Sequence, residues 1–367
     1  MPDATPIGIA VIGYGYWSPK LIRNIKNDPG FSLIAICEKD RSRHAAIRAE
    51  QGNVTIEDEY RSIFARTDID AVIVATIPSS HFRIAKLALE AGKHVLVEKP
   101  LTLSVAQGDM LLQLARRKHL TLMVDHTYLY SPAIRSLQSL VRDGTFGKIY
   151  SIESVRVNLG LFQRDSNVVW DLAPHDVSIL LSLFDEKPYL VSVVGSKTVI
   201  HASLTHGQES VAHMMLYYRS GLIAHIYVSW ISPLKARQIT LIGSERMAVY
   251  DQLASDQLRV FDHGVYASEQ TQESGPLFAY KMGTIETVAI PSGGEDLAAM
   301  LADFRRAIRE GTTPVSNGML GLNVVRILAA AQQSLERGGK KVRISYRSPH
   351  PLLQRVRNLH TRVRHGY

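Results

Sequence analysis

The alternation of apolar and polar positions divides this chain into two textures. Over residues 1–125, short apolar runs occur at Ile7 to Ile12, Ser32 to Cys37, Ala71 to Ala75, His94 to Val97 and Leu120 to Val124. Stretches with helical spacing, such as Ser80 to Ala91 and Ser104 to Lys118, separate them. Strands apolar on both faces belong to parallel sheets covered by helices, so this alternation predicts a doubly wound parallel sheet. A helix over Pro132 to Arg142 follows, and then long alternating strands at Lys148 to Val157, Val211 to Tyr218, Leu222 to Trp230 and Arg237 to Val249. Alternation of that kind predicts an open, predominantly antiparallel sheet with one packed face. Two amphipathic helices, Asp296 to Glu310 and Leu320 to Arg337, and a short strand at Lys341 to Ser345 are expected to close this second domain. The stretch from Gly264 to Gly294 has weak periodicity and reads as loop-rich. The expected organisation is an α/β domain over 1–125, a second α/β domain over 126–345 and a tail over 346–367, with no internal repeat.

Length and composition narrow the class. A chain of 367 residues exceeds one typical core and fits two domains. Its apolar runs are strand-length, short of the roughly 20 residues that span a bilayer. The start of the chain lacks the basic opening and cleavage site of a signal peptide, and Cys37 is the only cysteine. No intrachain disulfide and no cysteine-rich zinc site can form, which fits a reducing cytoplasm; no metal is expected. The net charge is +8, but Arg347, Arg355, Arg357, Arg362 and Arg364 lie in a tail without acidic residues, so the body is nearly balanced. Nucleic acid is therefore not an expected partner. In the tail, Leu352, Val356, Leu359 and Val363 recur at helical spacing. That pattern suits an anionic membrane surface, an acidic partner or a neighbouring subunit, but a solvated terminus is the favoured reading.

Candidate chemistry clusters at strand ends. The first strand runs into Gly13-Tyr14-Gly15-Tyr16-Trp17-Ser18-Pro19 and then a helical run. Two glycines permit a tight turn and close approach of a pyrophosphate, and the helix start supplies amides and a favourable dipole. Ser18 stands in the place of the third glycine; it is small, and it can cap the helix that Pro19 begins. The second strand ends in Glu38-Lys39-Asp40, where a carboxylate would accept from the adenosine ribose hydroxyls. Glu38 favours NAD, while Lys39 keeps NADP open. Thr76, Pro78 and His81 follow the strand at Ala71 to Ala75, near the expected dinucleotide. Glu98-Lys99-Pro100 ends another apolar strand, and proline fixes the direction in which the chain leaves. Downstream, Asp171 and His175 lie four apart and share one helix face. His175 suits proton transfer near neutral pH, although Asp171 could equally cap the helix, with Pro174 in its first turn.

The glycine turn, Glu98-Lys99-Pro100 and Asp171-x-x-x-His175, in this order, resemble the Gfo/Idh/MocA oxidoreductase family, a Rossmann domain followed by an open-sheet α/β domain. The likeness covers residues 5 to 345. The runs Tyr14-Gly15-Tyr16-Trp17, Arg156-Val157-Asn158-Leu159-Gly160 and Trp170 to Asp176 are similar to a branch associated with nucleotide-sugar and surface-polysaccharide pathways. The resemblance implies that Tyr16, Trp17 and Glu98 join the cofactor site, that Lys99 sits beside the nicotinamide and the substrate hydroxyl, that His175 transfers a proton, and that Asp171 orients substrate or histidine. Arg156 and Asn158 are expected at the substrate. Ser18 and Lys20 depart from the branch's usual glycine and asparagine. The expected activity is hydride transfer between NAD or NADP and a carbinol or ketone carbon of a sugar or nucleotide sugar, in a homodimer or homotetramer. The alternatives are internal cofactor recycling, giving glycoside cleavage or epimerisation, and a non-catalytic sensor of dinucleotide or sugar.

Overall fold

The first six strands, β1 (Ile7–Ile12), β2 (Phe31–Cys37), β3 (Thr55–Glu57), β4 (Ala71–Val74), β5 (His94–Val97) and β6 (Leu122–Val124), form one sheet in the order β3-β2-β1-β4-β5-β6. All five pairings are parallel. The structure is a computed structural model that describes residues 5–160, 162–163, 166–198, 208–267, 278–291 and 294–347. β1 and β4 are buried at every position, as a strand with helices on both faces must be. Helices α1 (Ser18–Asn27), α2 (His44–Gln51), α3 (Tyr60–Ala65), α4 (Pro78–Glu90) and α5 (Val105–Arg117) connect the strands. β1 has β2 on one side and β4 on the other, so the strand order reverses there and opens a crevice at the carboxyl ends. β3 was not expected: three residues, none of them buried, leave no apolar signature in the sequence.

Beyond α6 (Pro132–Arg142) the chain builds a second sheet from β7 (Ile149–Leu159), β8 (Leu190–Ser196), β9 (Val211–Tyr217), β10 (Ile223–Ser229), β11 (Ile231–Gly243), β12 (Met247–Asp251), β13 (Leu258–Ala267), β14 (Phe278–Thr287) and β15 (Val342–Arg343). The strand order is β14-β13-β12-β11-β7-β10-β9-β8-β15. Only β7 and β10 pair in parallel, and the other neighbours are antiparallel. Helix α7 (Val168–Leu183) lies against this sheet and buries Val168, Val169, Ala173, Val177, Ile179, Leu180 and Leu183.

The chain divides into two compact units. One contains the residues up to Asp125 and Leu297–Ala329, and the other contains His126–Asp296 and Ala330–Ile344. Helix α8 (Asp296–Glu310) and most of α9 (Gly318–Glu336) thus belong with the first sheet, whereas the sequence pattern placed them in the second domain. Arg305 of α8 reaches Asp28 at 3.1 Å, and Gly318 and Gly321 of α9 lie against Leu122 and Val124 of β6. Amphipathic spacing says that a helix face is buried, but not against which sheet. The stretch read as loop-rich contains a paired β13–β14 ladder; residues 268–277 and 292–293 within it are outside the described residues. Most of the basic tail, residues 348–367, also lies outside them. Among the described residues no helix is long and apolar enough to cross a membrane, and no group of three His, Cys, Asp or Glu side chains could hold a metal ion.

Candidate functional site

The carboxyl edge of the first sheet gathers Gly13, Glu38, Thr76, Glu98 and Lys99 from the ends of β1, β2, β4 and β5. Gly13 has φ 95°, and a Cβ there would stand 2.6 Å from the Ala75 carbonyl oxygen, so only glycine fits the turn. A Cβ on Gly15 would meet nothing within 4 Å, which leaves open space for a ligand to approach the backbone. Ser18 is fully buried and is the first residue of α1 rather than its cap. Its hydroxyl donates to the Gly13 carbonyl at 2.8 Å and accepts from the Gly15 amide at 3.3 Å, so serine ties the turn closed from within. Tyr16 is 77% exposed at the rim, and the Lys20 ammonium lies 5.1 Å from its ring centroid and 4.6 Å from that of Trp17. The Glu38 carboxylate accepts from the Tyr14 amide at 3.2 Å, from the Asp40 amide at 3.0 Å and from Arg43 at 3.0 Å. Those bonds hold it beside the glycine turn, and Lys39 next to it is exposed. Cys37, directly before, has a thiol pushed up to about 12 by burial and by surrounding carboxylates, so it is inert near neutral pH.

Glu98 and Lys99 leave β5 beside Asp125, which leaves β6; the register of Val97 with Val124 makes the two carboxylates neighbours. Trp17 donates its indole N–H to Asp125 at 2.9 Å, linking this pair to the glycine turn. One oxygen of Glu98, Oε1, is sealed from solvent and has no hydrogen-bond partner among the described residues. Burial first, and the Asp125 carboxylate second, hold the Glu98 carboxyl well above the usual carboxylate range. His81 does not open onto the cofactor edge as expected. It is fully buried, with Nδ1 2.8 Å from the Pro100 carbonyl and Nε2 2.9 Å from the Thr76 carbonyl. The ring braces the end of β4 against the segment after Lys99. Thr76 and Pro78 lie at the edge itself, Thr76 with its hydroxyl 2.7 Å from that of Ser80 and Pro78 as the first residue of α4.

In the second unit, Asp171 and His175 lie one turn apart on α7, and both are partly exposed. The helix cap is Asn167, not Asp171: its side-chain oxygen accepts from Val169 and Trp170 at 3.2 and 3.3 Å. Pro174 lies well inside the helix rather than in its first turn. Asp171 is thereby released from capping and accepts instead from the indole N–H of the buried Trp230 at 2.9 Å. The His175 and Tyr128 rings pack edge to face, with centroids 4.8 Å apart. Arg156, expected at the substrate, is 4% exposed and commits its guanidinium to Asp176 through bonds of 2.8 and 3.0 Å. An inward position on β7 beside Ser154, which also bonds Asp176, makes it an anchor for α7. Asn158, two residues further along the strand, is only half-buried. Sequence reading missed Tyr128, Trp230 and Arg237. Arg237 carried a signal: it occupies the phase of β11 that Ile239 and Leu241 bury, where a charge needs a reason.

The geometry at the first edge fits a dinucleotide: a glycine cradle that a Cβ would fill, a helix start and an anchored carboxylate. Comparison with known proteins agrees. Residues 7–126 match a family model described as an oxidoreductase family with an NAD-binding Rossmann fold, and residues 134–249 match the C-terminal domain model of the same family. An uncharacterized oxidoreductase of Escherichia coli, YdgJ, is 32% identical over 58% of this chain; the match spans 62% of that protein, less than two thirds of its length. The UDP-N-acetylglucosamine 3-dehydrogenase of Acidithiobacillus ferrooxidans is 29% identical over 72% of this chain and 78% of its own. The crystal structure of an oxidoreductase domain protein from Kribbella flavida superposes with a TM-score of 0.76 at 25% identity, covering 93% of this chain and all of that one.

Proposed function

The chain belongs to the Gfo/Idh/MocA oxidoreductase family, with an NAD-binding Rossmann domain, and from that premise we propose that it moves a hydride between nicotinamide and a carbinol or ketone carbon of a sugar, a nucleotide sugar being the favoured substrate. The single observation that carries this reading is the pairing of Asp171, held by Trp230, with His175 on one face of α7 in a chain whose Lys99 lies two residues beyond the end of β5. The turn from Gly13 to Ser18 and the Glu38 carboxylate would hold the dinucleotide, with NAD preferred because a carboxylate there would accept from the ribose hydroxyls, while Arg43, paired with Glu38 at 3.0 Å, keeps NADP open. Bound there, the dinucleotide supplies the hydride acceptor or donor.

The chain's own task is the proton. When a carbinol carbon is oxidised its hydroxyl proton must leave, and His175 takes it as general base. Lys99 stabilises the developing alkoxide and relays the proton, a role suited to an ammonium at a strand end. Asp171 fixes the orientation of the substrate or of His175. This substrate reading also draws on the relative that acts as a UDP-N-acetylglucosamine 3-dehydrogenase. The test is Lys99→Ala: turnover falls by orders of magnitude while dinucleotide affinity, read by nicotinamide fluorescence, stays within a few fold. Near-normal turnover in that variant would remove Lys99 from the mechanism.

A further inference from the structure

Arg237 and Arg156 face each other across β11 and β7, in register, and the structure treats them in opposite ways. Arg156 is buried and neutralised by the bidentate carboxylate of Asp176. Arg237 is only partly buried, and its hydrogen bonds, among the described residues, go to neutral atoms alone: Nη1 donates to the Tyr128 hydroxyl at 3.0 Å and to Gln252 Oε1 at 3.1 Å. A guanidinium carries five N–H donors in a planar fork, so Nε and Nη2 remain for another acceptor. A half-buried guanidinium on the inward phase of a strand, facing a second guanidinium in register, is a site that an incoming anion would stabilise. The Tyr128 ring connects this cation to the reacting face. Its hydroxyl accepts from Arg237, the Arg156 guanidinium lies 4.5 Å from its centroid, and it packs edge to face with the His175 ring, centroids 4.8 Å apart.

We infer that Arg237 is a specificity residue that binds an anionic group of the substrate, a carboxylate or a phosphate, next to the proton-transfer histidine. The inference rests on the reading of the His175 face as the substrate site. Planar, bidentate recognition of an oxyanion is what arginine supplies and lysine does not. A neutral sugar would leave the fork unmet; a sugar acid or a nucleotide sugar would fill it.

The experiment is calorimetric titration of the NAD-loaded protein with three probes: glucose as the neutral probe, glucuronate for the carboxylate and a UDP-sugar for the phosphate. At least one anionic probe binds about tenfold or more tightly than glucose, as a charge-assisted hydrogen bond requires, and the probe that does so identifies the source of the anion. Arg237→Gln lowers the affinity for that probe about tenfold or more, and Arg237→Lys recovers part of the loss; NAD binding by each variant serves as the check that it has folded. Anionic probes that bind no more tightly than glucose, or an anion preference that survives in Arg237→Gln, would overturn the inference. The redox reading fails separately. Arg237-dependent anion binding without any hydride transfer would leave this inference standing and remove the oxidoreductase assignment of substrate. Hydride transfer from a neutral sugar with unchanged KM in Arg237→Gln would do the reverse.

Discussion

Glu98 shows how a residue's chemistry follows from its place at a strand end. Its carboxyl is held well above the usual range, so the folded state binds its proton more tightly than the unfolded chain does. The resulting stabilisation is fully present below about pH 4.3, the ordinary glutamate value, and is lost as pH rises through the raised folded-state value. Glu98→Gln, which stays neutral, should therefore be more stable than the parent at pH 7, with the difference shrinking toward pH 4, in urea unfolding followed at both pH values. A variant less stable than the parent at pH 7 would show that the charged form is the one the fold supports. At this scale the sequence was informative about identity and less so about environment. Gly13, Glu38 and Lys99 could be placed just past strand ends from motif and position, and Ser18 at the start of the helix that follows the glycine turn. The brace made by His81 and the ion pair of Arg156 with Asp176 depend on contacts between distant segments, which spacing along the chain does not reveal.

Helix α7 is the element on which the proton-transfer reading depends, and its start is set by one side chain. Asn167 satisfies two amides of the first turn, and its own amide donates to Glu209 and Gln332, both at 3.0 Å. Asn167→Ala should cost about 1 kcal/mol of stability, the usual cost of a lost cap, measured as a shift of the urea midpoint at constant slope. Loss of the cap also loosens the turn that presents Asp171, so kcat should fall while dinucleotide affinity holds. An unchanged midpoint would mean that the first turn forms without the cap. The alternation of apolar residues announced this helix and most of the strands. It could not announce β3, which is too short and too exposed, nor the packing of α8 against the first sheet, because periodicity is silent about partners.

For the whole molecule, the face of the second sheet away from α7 matters most. Val194 and Ile223 on β8 and β10 are 54% and 38% exposed. Apolar side chains in that position favour self-association. Light scattering at micromolar concentration should give the mass of a dimer or tetramer, and a Val194→Asp, Ile223→Asp double variant should shift it toward monomer; a monomeric parent protein would contradict the expected assembly. The fold as a whole was legible because two textures, apolar runs and alternating strands, correspond to two kinds of sheet. The central claim concerns chemistry, and the most direct measurement mixes the purified protein with stoichiometric NAD or NADP and a panel of sugars and nucleotide sugars, following nicotinamide absorbance together with product mass. The account predicts reduced nicotinamide appearing in step with a sugar two hydrogens lighter, faster with NAD than with NADP. An altered sugar with no net reduced nicotinamide, or bound dinucleotide with no change in absorbance or mass in either direction across alcohols and ketones, would contradict it.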